Sequence, residues 1–152
     1  MIDAEIFIEK NYWKKVVKNP KSLITKVVKK FPKKYKFINK EVNLSVVLTD
    51  NKKIKLLNKK FRKKNKPTDI LSFPFYENKI LKRYIKTKKF YLGDIIISHE
   101  EFTKKNKNDY TNGFIKIFIH GFLHLLSFNH KSNKDYKIMN SLEKRLFKKV
   151  TG

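Results

Sequence analysis

The amino-acid sequence predicts a mixed α+β fold in which short strands alternate with helices around one buried helix. Three observations predict it. Two β-branched, alternating segments, "DAEIFIE" at residues 3–9 and "VNLSVVLT" at 42–49, are separated by a stretch of helical period. Two more strand-like segments, "TDILSFPFY" and "YLGDIIIS", follow in the middle of the chain. Later comes "FIKIFIHGFLHLLSF", residues 114–128, which is apolar on nearly every side of a helix, the mark of an element surrounded by protein.

Taken in order, the first strand is followed, after Pro20, by "KSLITKVVKKF", where Leu23, Val27, Val28 and Phe31 share a helical face. A strand, helix, strand unit of this kind predicts a parallel strand pair. Asp50 or Asn51 caps a second helix whose apolar positions are Ile54, Leu57 and Phe61, and Pro67 closes the basic run "RKKNKP" behind it. "TDILSFPFY" reaches Pro74, which has no N–H to give a neighbour, so it belongs at an edge or strand end. The lysine-rich "ENKILKRYIKTKKF" reads as a surface loop. Ser98 and Glu101 have capping-box spacing at the start of a short helix, "HEEFTKK". The apolar helix is expected from about residue 111 to 127. Ser132 and Asp135 then open a terminal helix with Tyr136, Met139, Leu142 and Leu146 on its core face. At 152 residues this is expected to be one domain, 1–152, able to bury a single core without cross-links.

The net charge of +25 attracts polyanions, nucleic acid above all. Of the 38 basic residues only Arg62, Arg83 and Arg145 are arginine, and the chain is rich in Asn, Ile, Phe and Tyr, so an AT-biased genome accounts for the lysines equally well. Charge alone names no function. With no cysteine, disulfides and thiolate ligands are excluded, and any metal site must be built from nitrogen and oxygen. The start "MIDAEIFIEK", with Asp3, Glu5 and Glu9, lacks the basic-then-apolar order of a signal peptide and is expected to be a strand, and the longest apolar run is too short and too polar to span a bilayer. A soluble, cytoplasmic protein with no membrane partner is expected.

Three of the four histidines fall in "HGFLHLLSFNH", residues 120–130. A helix advances about 100° per residue, so His120 and His124 lie on one face within reach of one ion. Unpartnered, two imidazoles in an apolar helix would be costly. His130 lies beyond the expected helix end, where a returning chain brings its ring to the open side of the pair. Three His ligands leave a vacant position, as catalytic rather than structural zinc does. Zn²⁺ is the leading ion, with Ni²⁺, Cu²⁺ and Fe²⁺ allowed by the same ligands. The glutamate that follows the first histidine in H-E-x-x-H peptidases is replaced by Gly121, which disfavours peptide hydrolysis.

These residues resemble the YbeY-type endoribonucleases, also called rRNA maturation factors, whose signature is H-G-x-L-H-L-x-G-x-D-H. The likeness extends through "LNKKFRKKNKPTDILSFPF" and "LGDIIIS" to Met139 and Glu143, and runs collinearly from about residue 42 to 147. It implies a zincin-like metallohydrolase architecture, a small, mostly parallel mixed sheet packed around a central helix. It further implies a single-strand-specific, metal-dependent endoribonuclease acting on ribosomal RNA of the small subunit, at its 3′ end, and in ribosome quality control. By position His120, His124 and His130 are the metal ligands, one Zn²⁺ per chain, and Arg62 matches the functional arginine, a residue able to brace phosphate oxygens bidentately. Ser127 stands where the family has glycine, and Asn129 where it has aspartate. Asp69, Ser72, Asp94 and His99 are assigned no chemistry, His99 reading as a solvated helix-start residue. The chief rival is a non-catalytic, ribosome-associated RNA-binding factor with a structural metal; a metallohydrolase for another anionic substrate is weaker.

Overall fold

The computed structural model describes residues 1–152. Four strands form one sheet in the order β1-β2-β4-β3, where β1 is Ile2–Ile8, β2 Glu41–Thr49, β3 Ile70–Pro74 and β4 Lys89–Ser98. β1 and β4 both run parallel to β2, and β3 is antiparallel to β4. The mixed α+β fold and the parallel first pair match the sequence expectation, and Pro74 does end an edge strand.

The helices follow from local chemistry. Asn19 accepts a hydrogen bond from the Ser22 N–H and Pro20 opens α1 (Pro20–Lys29). A single turn, α2 (Lys33–Lys36), leads into β2. Asp50 caps α3 (Asn51–Arg62) by accepting from the Lys53 N–H, which settles the choice between Asp50 and Asn51. α5 (His99–Lys105) leads to α6 (Tyr110–Leu125), capped by Asp109, and Ser132 caps α7 (Asn133–Thr151).

β2 alternates buried Val42, Leu44, Val46 and Leu48 with partly exposed residues, so one sheet face carries the main core. That face packs on α1 and α6, with α7 against the outside of α6, and α6 contributes Phe114, Phe118 and Phe122 fully buried. Each such ring stabilises the fold by about 1.5–3 kcal/mol. Trp13, in a 3₁₀ turn at Asn11–Lys15, is fully buried and donates Nε1–H to the Thr49 carbonyl at 2.8 Å. The opposite sheet face is covered at one end by α3, where Ile54 meets Leu71 and Ile96. Gly121 lets α6 ride close on the sheet, since a Cβ there would meet Ile70 Cδ1 and Ile95 Cδ1 at 3.0 Å.

Several expectations are corrected. The segment expected as a loop contains α4 (Asn78–Tyr84), held by the buried Leu81. Ser98 caps nothing: its hydroxyl donates to Asn51 Oδ1 at 2.6 Å, and Glu101 accepts from Asn51 Nδ2, so the Ser/Glu pair ties α5 to α3. Phe61 and Tyr136 are exposed because their faces have no covering element, whereas Met139 and Leu146 are core as expected. His99 is not free in solvent; its ring packs edge-on against Tyr12 and Trp13 at 4.3 and 5.4 Å, and burial holds its pKa below the ordinary value. No helix is long and apolar enough to cross a membrane.

Candidate metal centre and phosphate cleft

α6 ends in a left-handed turn. Ser127 has φ of 72°, its N–H reaches the His124 carbonyl at 2.9 Å, and the Phe128 N–H reaches back to the Leu123 carbonyl at 3.1 Å. This pairing is the Schellman arrangement, usually built on glycine. It reverses the chain so that the Phe128 carbonyl accepts from His124 Nδ1 at 2.9 Å. Asn129 Oδ1 accepts from the Lys131 N–H, the local bond an aspartate would make there. Those two steps bring His130 alongside the helix, its ring centroid 5.7 Å from that of His120 and 5.0 Å from that of His124.

α7 adds a partner that the residue spacing had not revealed as one. Glu143 lies four residues after the buried Met139, on the same helical face, and its Oε1 is 2.5 Å from His120 Nδ1. A carboxylate accepts and does not donate, so His120 carries its proton on Nδ1; a carbonyl does the same for His124. In their neutral forms both rings therefore present bare Nε2 lone pairs, and these two atoms face each other 3.1 Å apart. Burial first, then neighbouring His120, pushes the His124 pKa down to about 4, with His130 and Arg62 adding to the effect and the Phe128 bond opposing it. With both rings neutral, neither nitrogen has a proton to offer the other. A cation between them relieves that repulsion: tetrahedral nitrogen ligands at zinc distances lie about 3.3 Å apart. Ligand atoms of His120, His124 and His130 all fall within 4.8 Å of one another, so the triad can hold a metal ion. His130 is exposed while the other two are half-buried, which leaves the site open on one side.

The opening faces a cleft of about 540 Å³ that also receives Arg62, Lys64, Lys66, Lys105 and Lys131. Arg62 is the last residue of α3, which ends at Lys63 in a left-handed conformation, φ 57°. Its Nη2 donates to the Ser72 carbonyl on the free edge of β3 at 2.9 Å, and the guanidinium lies 5.8 Å over the Phe73 ring. The four residues singled out in the sequence thus meet at one cleft, although α3 and α6 are far apart in the chain. Asp69 and Ser72 line the same cleft; Asp69 pairs with Lys105 at 3.2 Å, and the Ser72 hydroxyl is buried without a partner. Asp94 does not reach it, because the Tyr91 hydroxyl bonds it on the other side of the sheet. Gly121, at the position where peptidases carry their glutamate, is buried against the sheet and away from the cleft.

A family model described as Endoribonuclease YbeY matches residues 7–151. The chain belongs to the YbeY family. The match begins well before the motif-bearing region at 42–147. Among curated members, the endoribonuclease YbeY of Pelagibacter ubique (strain HTCC1062) is 47% identical over 97% of this chain and 95% of its own length. That of Ehrlichia chaffeensis is 35% identical over 99% of this chain and 93% of its own. In three dimensions the chain is similar to TM1509 from Thermotoga maritima, known as a solution structure, with a TM-score of 0.57 and 28% identity, covering 99% of this chain and 89% of that one. The YbeY relationship and the mixed sheet around α6 thus agree.

Proposed function

We propose that residues 1–152 act as one metal-dependent endoribonuclease domain that cuts single-stranded ribosomal RNA, at the 3′ end of the small-subunit RNA, in the cytoplasm. The observation that carries the reading is the meeting of three imidazoles with Arg62 in one cationic cleft, in a member of an endoribonuclease family. His120, His124 and His130 are the proposed ligands, and Zn²⁺ the proposed ion, one per chain. When bound, such an ion supplies Lewis acidity, lowering the pKa of water toward about 7 and polarising a phosphoryl oxygen. The rest is done by the protein. Glu143 and the Phe128 carbonyl hold both Nδ1 protons, which keeps the two Nε2 atoms pointed at a common position. Lys64, Lys66 and Lys131 draw the RNA backbone into the cleft. Arg62 is anchored by one donor to the Ser72 carbonyl, which leaves its other N–H groups to brace a phosphate and stabilise charge developing at phosphorus.

The test is incubation of Zn²⁺-loaded protein with single-stranded and structured RNA, with His124→Ala as the control for contaminating nuclease. Cleavage of the single strand by the wild type alone is expected. Intact RNA in both would remove the catalytic reading and favour a ribosome-associated factor with a structural metal.

A further inference from the structure

Phe61 and Phe75 are 57% and 61% exposed, an unusual placement for two phenylalanines in one small domain. They are not scattered. Phe61, in the last turn of α3, packs edge-on against Phe73 at 5.2 Å. Phe75 follows two residues later and packs edge-on against Tyr91 at 5.5 Å. Phe73 is opposite Asp94 in the β3–β4 register, and Asp94 accepts from Tyr91, so all four rings share the sheet face away from α6. The row begins at the active-site cleft, because Arg62 crosses the free edge of β3 to bond the Ser72 carbonyl and lies over Phe73.

We propose that Phe61, Phe73 and Phe75 form a stacking platform for bases of single-stranded RNA flanking the phosphate held at Arg62. Three features commit the surface to this occupant. It is continuous with the cleft through Arg62. Its α3 side is cationic: the chain has no acidic residue from Asn51 to Thr68, and Lys60 lies 5.3 Å over the Phe61 ring, while the acidic groups Asp94 and Glu5 lie at the Tyr91 end. Its exposed groups are ring faces and edges, which every base can stack against whatever its sequence, whereas bases inside a duplex are already stacked and out of reach. The platform gives a physical reason for single-strand selectivity that the lysines cannot supply, since they hold any polyanion. The proposal rests on the endoribonuclease reading for its place in catalysis, but not for its binding.

The test uses the full chain in chelator, so that nothing is cut, and a fluorescein-labelled ten-nucleotide RNA of mixed sequence, its abasic counterpart and a short duplex. Anisotropy titrations compare wild type with Phe61→Ala, Phe75→Ala, Phe75→Leu and Phe75→Tyr, thermal melts having shown each to be folded. The expected result is that the two alanine variants and Phe75→Leu bind the single strand about tenfold more weakly. Phe75→Tyr should bind as wild type does, the salt slope should not change, and abasic and duplex affinities should be unmoved. Wild-type affinity in the alanine variants, or an equal loss on the abasic strand, would overturn the platform and leave the rings to a protein partner. Separately, Zn²⁺-loaded wild type is incubated with the same single strand. Absence of cleavage together with the expected binding pattern overturns the nuclease reading and keeps the platform; cleavage with unchanged binding overturns the platform alone.

Discussion

Replacing Ser127 by glycine should stabilise the protein. Ser127 occupies the left-handed position that ends α6, at φ 72°, where an L side chain costs roughly 1–2 kcal/mol. Glycine removes that cost but brings extra freedom to the unfolded chain, which offsets about 0.4–1 kcal/mol. The difference is a gain of a few tenths to about 1 kcal/mol. For a chain of this size that corresponds to a rise in Tm of about 1–4 °C. The backbone bonds of the turn, Ser127 N–H to the His124 carbonyl and Phe128 N–H to the Leu123 carbonyl, need only the backbone and are kept. His124 Nδ1 therefore keeps its Phe128 acceptor, and Zn²⁺ affinity should hold or improve slightly. Thermal and urea unfolding of metal-free and Zn²⁺-loaded protein measure the first quantity, and competition with a chromogenic chelator the second. A loss of stability of 0.5 kcal/mol or more would refute the reasoning, since it would mean that the serine side chain contributes more than the left-handed backbone costs.

Glu143→Gln should weaken Zn²⁺ binding about tenfold, and Glu143→Ala up to about a hundredfold, without unfolding the chain, because the acceptor on His120 Nδ1 first loses its charge and then disappears; isothermal titration decides. Arg62→Lys keeps the charge but loses the planar fork, so RNA affinity should largely persist while single-turnover cleavage slows at least about tenfold; equal cleavage rates would take the fork out of the mechanism. In metal-free protein His124 should titrate near pH 4 by NMR, against 6.5 for its ordinary value. Its folded pKa is lowered, so the unfolded chain binds the extra proton first: the associated stability is present above pH 6.5 and is lost as pH falls toward 4. A His124→Gln variant should show a shallower acid dependence in that window; an unchanged slope would assign the acid sensitivity elsewhere. Removal of all three imidazoles, by His120→Ala, His124→Ala and His130→Ala together, should abolish stoichiometric metal in elemental analysis.

Local chemistry was legible in the linear sequence. Strand alternation, the Ser132 cap, a cap at Asp50 or Asn51, the apolar α6 and the four-residue step from His120 to His124 all depend on neighbours within a turn or two, and the structure contains each of them, with Asp50 as the cap. The six-residue step on to His130 was legible as well, the family signature added Arg62, and the departure at Ser127 marked a left-handed turn. Tertiary structure decided what depends on partners distant in the chain. Phe61 and Tyr136 have core-like spacing but nothing covers them, and Ser98 has a capping pattern yet bonds Asn51 from another helix. α4 forms in a lysine-rich stretch because Leu81 finds the core. Periodicity cannot say that Glu143, 23 residues after His120, will fix its tautomer, nor that the end of α3 will lean over the free edge of β3 to set Arg62 beside three imidazoles. Hydrogen bonding and packing between elements are set by sheet order and helix docking, and those exist only once the chain has closed on itself.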